Sequence, residues 1–196
     1  MKTGVVIPAK SFERAKSRLG PGLGPDARRA LAQALFERAL EAVAGVGFDH
    51  VLVLTDGESV ARLAVAHRVL VLRDGGALPL ATLVDAGLGA LSGLGVERAV
   101  VLMADLPYVD AASLRALLSG LDDTDLVVAP DHRNEGTNAL AVRLPAPPTQ
   151  FGHDDSLLRH LHLELPRPPR LLRAAALALD VDLPADLAAW QAGARV

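Results

Sequence analysis

Apolar runs of strand length alternate with longer segments of helical periodicity along this chain. The runs that predict strands are 4–7, 51–54, 69–72, 99–103, 126–129 and 139–142, and the patterns that predict helices are 25–44, 59–66, 82–91 and 113–118. Such alternation is typical of a parallel sheet with helices packed against it. The sequence therefore predicts an α/β fold, a doubly wound domain of about seven strands whose ligands bind outside the carboxyl ends of the strands.

Glycine and aspartate mark three helix ends. Gly45 follows the pattern at 25–44 and Gly93 follows the one at 82–91, so each is predicted to stop its helix. Asp110 precedes the pattern at 113–118, where its carboxylate is expected to cap the first turn.

Composition narrows the class of protein. With 196 residues, 51% of them hydrophobic, and a net charge of −3, the chain is expected to form one soluble globular domain, 1–196. One Trp, one Tyr and four Phe are too few for stacking on single-stranded nucleic acid, so no nucleic-acid partner is expected. The absence of Cys excludes disulfides, a thiol nucleophile and thiolate zinc sites. The first apolar run stops at Pro8, which favours a cytoplasmic protein with no membrane partner.

Two glycine-containing segments predict an anion site. Gly136 is followed by Thr137 and Asn138, and Gly152 is followed by Ser156. We interpret them as a pair of loops that offer backbone N–H groups and hydroxyls to an anion. The alternative is two ordinary turns, because glycine and asparagine are also common turn residues.

A basic segment follows the first predicted strand. Lys10, Arg14, Lys16 and Arg18 lie where cations could surround a polyphosphate. The alternative is a solvated basic loop. The pattern is not a Walker loop, since no Gly-x-x-x-x-Gly-Lys sequence is present.

Three carboxylates predict a magnesium site. Asp105 stands at the carboxyl end of the predicted strand 99–103, and Mg²⁺ prefers oxygen donors. Asp180 and Asp182 flank Val181; if Val181 points into the core of an extended segment, both carboxylates point the other way and repel unless a cation lies between them. The alternatives are a turn aspartate at Asp105 and a helix cap at Asp182.

The histidines give a weaker signal. His153, His160 and His162 lie close together in the sequence, but their spacing matches no metal-binding motif. We interpret them as structural or surface residues.

The order and spacing of several short segments, between about Val5 and Leu187, resemble those of a known protein family. These segments are Lys10 with Ala15-Lys16-Ser17-Arg18-Leu19, Ala104-Asp105-Leu106-Pro107, Ala129-Pro130-Asp131, Gly136-Thr137-Asn138-Ala139-Leu140, Phe151-Gly152 with Ser156 and His160, Asp180-Val181-Asp182, and Pro184-Ala185-Asp186-Leu187. In this order and spacing the chain resembles the guanylyltransferases that act on 2-phospho-L-lactate or phosphoenolpyruvate in making the deazaflavin coenzyme F(420).

The resemblance implies a Rossmann-like nucleotidyltransferase fold (GT-A-like), a mixed, mostly parallel sheet with helices on both faces that binds GTP and Mg²⁺. It assigns Thr137, Gly152 and Ser156 to the phosphorylated acceptor. It assigns Asp105, Asp180 and Asp182 to the metal ions, and the segment from Lys10 to Arg18 to the triphosphate.

Three departures from the family pattern affect the site. Asn134 and Glu135 stand where small or hydroxyl residues are expected ahead of Gly136. Pro79, in the segment 75–81, stands where an asparagine is expected to contact the nucleotide. The spacing from Gly152 to Ser156 is one residue longer than expected, which makes Asp155 an alternative to Ser156.

The reaction implied needs positioning and charge neutralisation more than a strong base, because a phosphate acceptor is already ionised at neutral pH. In this hypothesis Lys16 and Arg18 bind the departing pyrophosphate, while Asp105 with the Asp180/Asp182 pair holds Mg²⁺. Thr137 and Ser156 orient the acceptor phosphate, and Lys10 and Asn138 complete the substrate-binding set.

Two other functions stay open from the sequence: a nucleotidyltransferase of the molybdopterin or sugar-phosphate kind, and a non-catalytic nucleotide-binding homologue. The choice among phosphoenolpyruvate, 2-phospho-L-lactate and 3-phospho-D-glycerate, the base of the nucleotide, and a homodimer are also left open.

Overall fold

One mixed sheet forms the centre of the molecule. The computed structural model describes residues 1–20, 22–76 and 78–193. Within these residues seven strands pair in the order β3-β2-β1-β4-β6-β5-β7. The strands are β1 (Thr3–Pro8), β2 (His50–Thr55), β3 (Leu70–Arg73), β4 (Arg98–Leu102), β5 (Leu126–Pro130), β6 (Thr137–Arg143) and β7 (Arg170–Leu171). Only β6 runs antiparallel to its neighbours, β4 and β5, so the predicted mostly parallel sheet is confirmed.

Helices cover both faces of this sheet. They are α1 (Pro25–Val46), α2 (Glu58–Ala66), α3 (Leu80–Gly93), α4 (Ala111–Gly120), α5 (Ser156–Leu161), α6 (Ala175–Ala178) and α7 (Pro184–Gln191). Because side chains alternate along a strand, Val5 and Ile7 of β1 pack in one core with α1, α2 and α4, whereas Val6 packs in a second core with α3. The doubly wound prediction is therefore confirmed. In the described part of the chain no helix is long and apolar enough to span a membrane.

The predicted end of α1 was wrong by two residues. The helix continues through Gly45 to Val46, and Gly47, with φ of 82°, forms the left-handed cap. Gly45 instead lies against α4, where a β-carbon would come within 3.0 Å of Ala111 Cβ. The glycine there permits close packing of two helices.

Other predicted ends agree more closely with the structure. Asp110 caps α4 as expected, accepting a 2.8 Å hydrogen bond from the backbone N–H of Ser113, although the helix begins at Ala111. Helix α3 ends at Gly93.

The interpretation of Thr137 and Asn138 as loop residues was wrong. Both belong to β6, and Thr137 pairs with Pro130 of β5 across an irregularity in the ladder. The connecting turn comes before them, where Asp131 accepts a 2.9 Å hydrogen bond from the backbone N–H of Glu135. The turn is completed within residues 131–136, so the strand begins earlier than the apolar run suggested.

Candidate active site

The carboxyl ends of β1, β2 and β4 open into a cleft of about 950 Å³. The cleft is lined by the basic segment from Lys10 to Arg18, by Asp56 after β2, and by Asp105 after β4. Gly152 and Asp182 line it as well, although they lie far away in the sequence. This is the sheet edge at which the sequence predicted a ligand site, and its size suits a small-molecule ligand.

The basic segment is fixed to the sheet at its start. Asp56 accepts a 3.0 Å hydrogen bond from the backbone N–H of Ser11 through Oδ1, and its Oδ2 pairs with Arg14. The backbone N–H of Ala9 also donates to the Leu54 carbonyl of β2 at 2.9 Å. Lys10, Arg14 and Arg18 are all exposed at the cleft, with Arg14 paired to Asp56 and Arg18 3.4 Å from Asp182.

Lys16 occupies the centre of the carboxylate group. Its side chain is only 7% exposed, and its ammonium Nζ lies 2.9 Å from Asp105 Oδ2 and 3.1 Å from Asp182 Oδ1. Burial alone lowers the pKa of Lys16, but the charges and hydrogen bonds of Asp105 and Asp182 outweigh it and raise that pKa. Lys16 is therefore a buried permanent cation, held with a left-handed backbone of φ 58°.

The segment at Asp180 and Asp182 has the predicted alternation. Val181 is fully buried beside Leu19 and Leu35, and its N–H donates to the Asp105 carbonyl at 3.2 Å. Both flanking carboxylates consequently lie on the side of Asp105. The alternative of Asp182 as a helix cap was wrong, because Asp186 accepts the capping hydrogen bonds of α7 from Leu183 N (2.7 Å) and Asp182 N (3.1 Å).

Negative charge exceeds positive charge in this group. Burial, followed by the charges of Asp105 and Asp182, raises the pKa of Asp180 to about 6. Within residues 1–20, 22–76 and 78–193, no three Asp, Glu or His side chains already surround a common metal position, and the Lys16 ammonium stands between two of the carboxylates. A set of oxygen-only donors with excess negative charge nonetheless fits the chemistry of a hard divalent cation.

The predicted acceptor residues lie near one another, at the start of β6 and of α5. Thr137 Oγ1 lies 3.0 Å from His160 Nδ1 and 3.4 Å from Ser156 Oγ, and all three residues are buried. Asp155 is instead exposed and paired with Arg159. The structure therefore places Ser156, rather than Asp155, beside Thr137.

Asn138 and Gly152 have different surroundings. The Asn138 side-chain amide donates to the carbonyls of Leu177 (3.0 Å) and Ala178 (2.9 Å) and approaches Asp180 Oδ1 at 3.5 Å. It thus holds the chain that leads into the carboxylate pair. Gly152 is exposed at the cleft with φ of 88°. The substrate-binding roles of both residues stay predictions.

The segment 75–81 lies beside the cleft through Gly76, Leu78 and Leu80. Pro79 is the residue that precedes α3, and its carbonyl accepts from the N–H of Leu83 at 3.0 Å. Ala77 lies outside the described residues. Proline therefore serves here as the start of a helix, a position that its fixed φ suits.

Asp186 is a structural residue whose role was not predicted from the sequence. It is 2% exposed, it pairs with Arg133 from the β5–β6 turn, and its Oδ1 lies 3.5 Å from His132 Nε2. Through its capping bonds it also fixes Asp182. The only local signal was an aspartate in the first turn of a helix that begins with Pro184.

We expect Asp186→Asn to lower the free energy of unfolding by about 2–4 kcal/mol, because the change leaves Arg133 without its buried partner and disturbs the cap of α7. Urea denaturation followed by circular dichroism measures the loss. Asp155→Asn is the matched control: it removes an exposed aspartate–arginine pair at a helix start and should cost less than about 1 kcal/mol. Equal losses in the two variants would contradict the bridging role of Asp186.

Comparisons with known proteins identify sequence relatives of this chain. Residues 3–189 match the family described as "Guanylyl transferase CofC like". The phosphoenolpyruvate guanylyltransferase of Conexibacter woesei is 36% identical over 192 residues, which cover 95% of this chain and 86% of the relative. The 2-phospho-L-lactate guanylyltransferase of Methanothermobacter thermautotrophicus is 31% identical over 83% of this chain and 71% of its own length.

A solved structure supports the fold. The crystal structure of a protein from Desulfovibrio desulfuricans, described as a nucleotide-diphospho-sugar transferase, superposes with a TM-score of 0.81 at 17% identity and covers 97% of this chain and 87% of its own. This likeness confirms the predicted Rossmann-like α/β fold. Because the family match covers nearly the whole chain and the relatives exceed 30% identity, this chain belongs to the CofC-like guanylyltransferase family.

Proposed function

We propose that this protein transfers GMP from GTP to a small phosphorylated three-carbon acid, phosphoenolpyruvate or 2-phospho-L-lactate, in coenzyme F(420) biosynthesis. An oxygen of the acceptor phosphate forms a bond to the α-phosphorus of GTP, and the bond from that phosphorus to pyrophosphate breaks. The observation that carries the proposal is the convergence of Lys16, Asp105 and Asp182 in a cleft at the carboxyl ends of the strands. Asp180 lies close enough to the two other carboxylates for their charges to raise its pKa. Membership of the family supports the proposal.

The carboxylates supply the metal site in this proposal. Asp105, Asp180 and Asp182 would hold Mg²⁺, which supplies charge neutralisation and orientation for the phosphates. Asp105 and Asp182 also hold Lys16 in place, and Lys16 with the exposed Arg18 binds the departing pyrophosphate. Arg18 lies 3.4 Å from Asp182, so Lys16 and Arg18 are both paired with this carboxylate before the substrate binds.

The acceptor side of the site uses Thr137, Ser156 and Gly152, with Lys10 and Asn138 as further binding residues. Because the acceptor phosphate is ionised at neutral pH, the chain needs no strong general base. Its task is to hold the phosphate oxygen in line with the α-phosphorus. The burial of Thr137 and Ser156 supports a fixed geometry for their hydroxyls.

A panel of acceptors tests the proposal. Purified protein with GTP and Mg²⁺ should release pyrophosphate with phosphoenolpyruvate or 2-phospho-L-lactate, and EDTA should lower the rate to the background because the carboxylates then lack their cation. ATP and CTP serve as donor controls, and 3-phospho-D-glycerate and a sugar phosphate as further acceptors.

The outcomes separate the candidate functions. Release with the sugar phosphate alone would replace this function by that of a sugar-phosphate nucleotidyltransferase. No release with any acceptor, in a protein that still binds GTP, would favour a non-catalytic nucleotide-binding homologue. Light scattering on the same sample tests whether the protein is a homodimer.

A further inference from the structure

His160 is a buried histidine next to the proposed acceptor residues. It lies on α5, is 0% exposed, and contacts the ring of Phe151 edge-on at a centroid distance of 4.9 Å. Its two ring nitrogens have different partners: Nδ1 lies 3.0 Å from Thr137 Oγ1, and Nε2 accepts a 2.9 Å hydrogen bond from the backbone N–H of Gln150.

The contact with Gln150 fixes the tautomer of the ring. A backbone N–H only donates, so Nε2 must carry a lone pair and no hydrogen. A doubly protonated ring would bring two hydrogens together at this contact. Burial, only partly opposed by a hydrogen bond to the Ser156 backbone, also lowers the pKa of His160 to about 4. The ring is therefore neutral at neutral pH, with its single proton on Nδ1.

This tautomer sets the direction of the hydrogen bond to Thr137. The Nδ1–H is shared between Thr137 Oγ1, 3.0 Å away, and the backbone carbonyl of Ser156, and the hydroxyl of Ser156 donates to the Thr137 oxygen at 3.4 Å. Both contacts bring hydrogens to the Thr137 oxygen, so the proton of Thr137 itself is available to a third partner. An ionised phosphate, which only accepts hydrogen bonds, suits that proton.

We propose that His160 is a positioning residue that keeps Thr137 as a hydrogen-bond donor toward the phosphate of the acceptor substrate. The proposal rests on the proposed function for the identity of that substrate. With the proton on Nε2 instead, Nδ1 would accept and would draw the Thr137 proton inward, away from the substrate. The backbone of Gln150, ten residues from His160 in the sequence, prevents this.

Two substitutions of His160 test its two ring nitrogens separately. The amide of His160→Asn reaches the place of Nδ1 and retains a donor for Thr137, whereas the amide of His160→Gln reaches the place of Nε2 and loses that donor. We expect His160→Gln to raise the KM for phosphoenolpyruvate about tenfold, the usual effect of one hydrogen bond to a charged group. The KM for GTP should change less than about threefold, since that substrate does not use Thr137, and His160→Asn should recover most of the acceptor KM.

A double-mutant cycle and a control complete the kinetic test. Thr137→Val should raise the acceptor KM by a similar factor, and adding His160→Gln to it should have little further effect, because both changes remove the same donor. His162→Gln, at the exposed residue that follows the same helix, should leave both KM values unchanged. Equal effects of His160→Asn and His160→Gln, or fully additive effects with Thr137→Val, would overturn the proposal in favour of simple packing.

The tautomer is measured directly on the unmodified protein. Long-range proton–nitrogen NMR of protein labelled with ¹⁵N-histidine should show a protonated Nδ1 and a bare Nε2 for His160 at pH 7. A protonated Nε2 would overturn this inference even in an active enzyme. The spectrum needs no turnover, so a protein with the Nδ1–H tautomer that transfers GMP to no acceptor would count against the proposed function and leave the ring assignment supported.

Discussion

Asp105→Asn is expected to lower kcat for GMP transfer by about a thousandfold or more, the effect of losing a charged ligand at a phosphoryl-transfer centre. Asparagine keeps the size of the side chain and one oxygen, but it removes the charge that pairs with Lys16 Nζ at 2.9 Å. Of the three carboxylates, Asp105 alone comes from the end of a central strand, β4, so its position depends least on the last part of the chain.

The measurement is pyrophosphate release under saturating GTP, Mg²⁺ and acceptor, together with Mn²⁺ binding followed by electron paramagnetic resonance. Asp123→Asn is the control, because Asp123 has a side chain that is 83% exposed and lies 3.9 Å from Arg170, away from the cleft. Wild-type turnover and wild-type Mn²⁺ affinity in Asp105→Asn would show that the metal role is wrong. Circular dichroism should show the same helix content in all three proteins.

Lys16→Met is expected to lower kcat/KM for GTP by a factor of about 10²–10³, because it removes a preorganised cation from the proposed pyrophosphate site. Methionine is unbranched like lysine and must adopt the same left-handed backbone conformation, so the substitution removes the charge and changes little else. Glycine would confound the test, since it would also relax the backbone.

Metal binding gives the second readout for Lys16. The ammonium lies between Asp105 and Asp182, where it competes with a divalent cation for their charge. In the absence of nucleotide, Lys16→Met should therefore bind Mn²⁺ more tightly than the wild type does. The metal-free variant should also lose about 2 kcal/mol of stability, since Asp105 is left without its cation and Asp182 keeps only the exposed Arg18, and Mg²⁺ should restore it.

Lys2→Met is the control for this variant, because Lys2 is an exposed lysine outside the cleft. It should change neither kcat/KM nor metal affinity. Weaker Mn²⁺ binding by Lys16→Met would show that Lys16 supports the metal site instead of competing with the cation.

Local sequence signals were sufficient where neighbouring residues determine the structure. The strand at 4–7 follows from a run of apolar residues and the helix at 59–66 from apolar residues at helical spacing. Asp110 caps α4 because its partner Ser113 lies three positions away. The end of α1 was wrong because Gly45 is used for contact with α4, a long-range reason that helix-stop rules do not contain. The start of β6 was wrong because pairing with β5 extends that strand through two polar residues.

The residues of the candidate site likewise fall into those predicted from the sequence and those that were not. Residue types and their order indicated a carboxylate group, a basic segment and a pair of hydroxyls. Asp186 and His160 were given no role in the site because their partners, Arg133 and Thr137, lie 53 and 23 positions away in the sequence. No periodicity or spacing rule connects residues at such separations.

The sequence by itself determined the α/β class, most of the strands and helices, and the family, because all of these depend on local periodicity and on the order of short motifs. Only the tertiary structure placed Lys16 between Asp105 and Asp182, residues that lie 89 and 166 positions away from it. The tertiary structure alone also directed the proton of His160 toward Thr137. Both arrangements arise when the assembled sheet brings separate chain segments to one edge, and distances and hydrogen-bond directions exist only after that assembly.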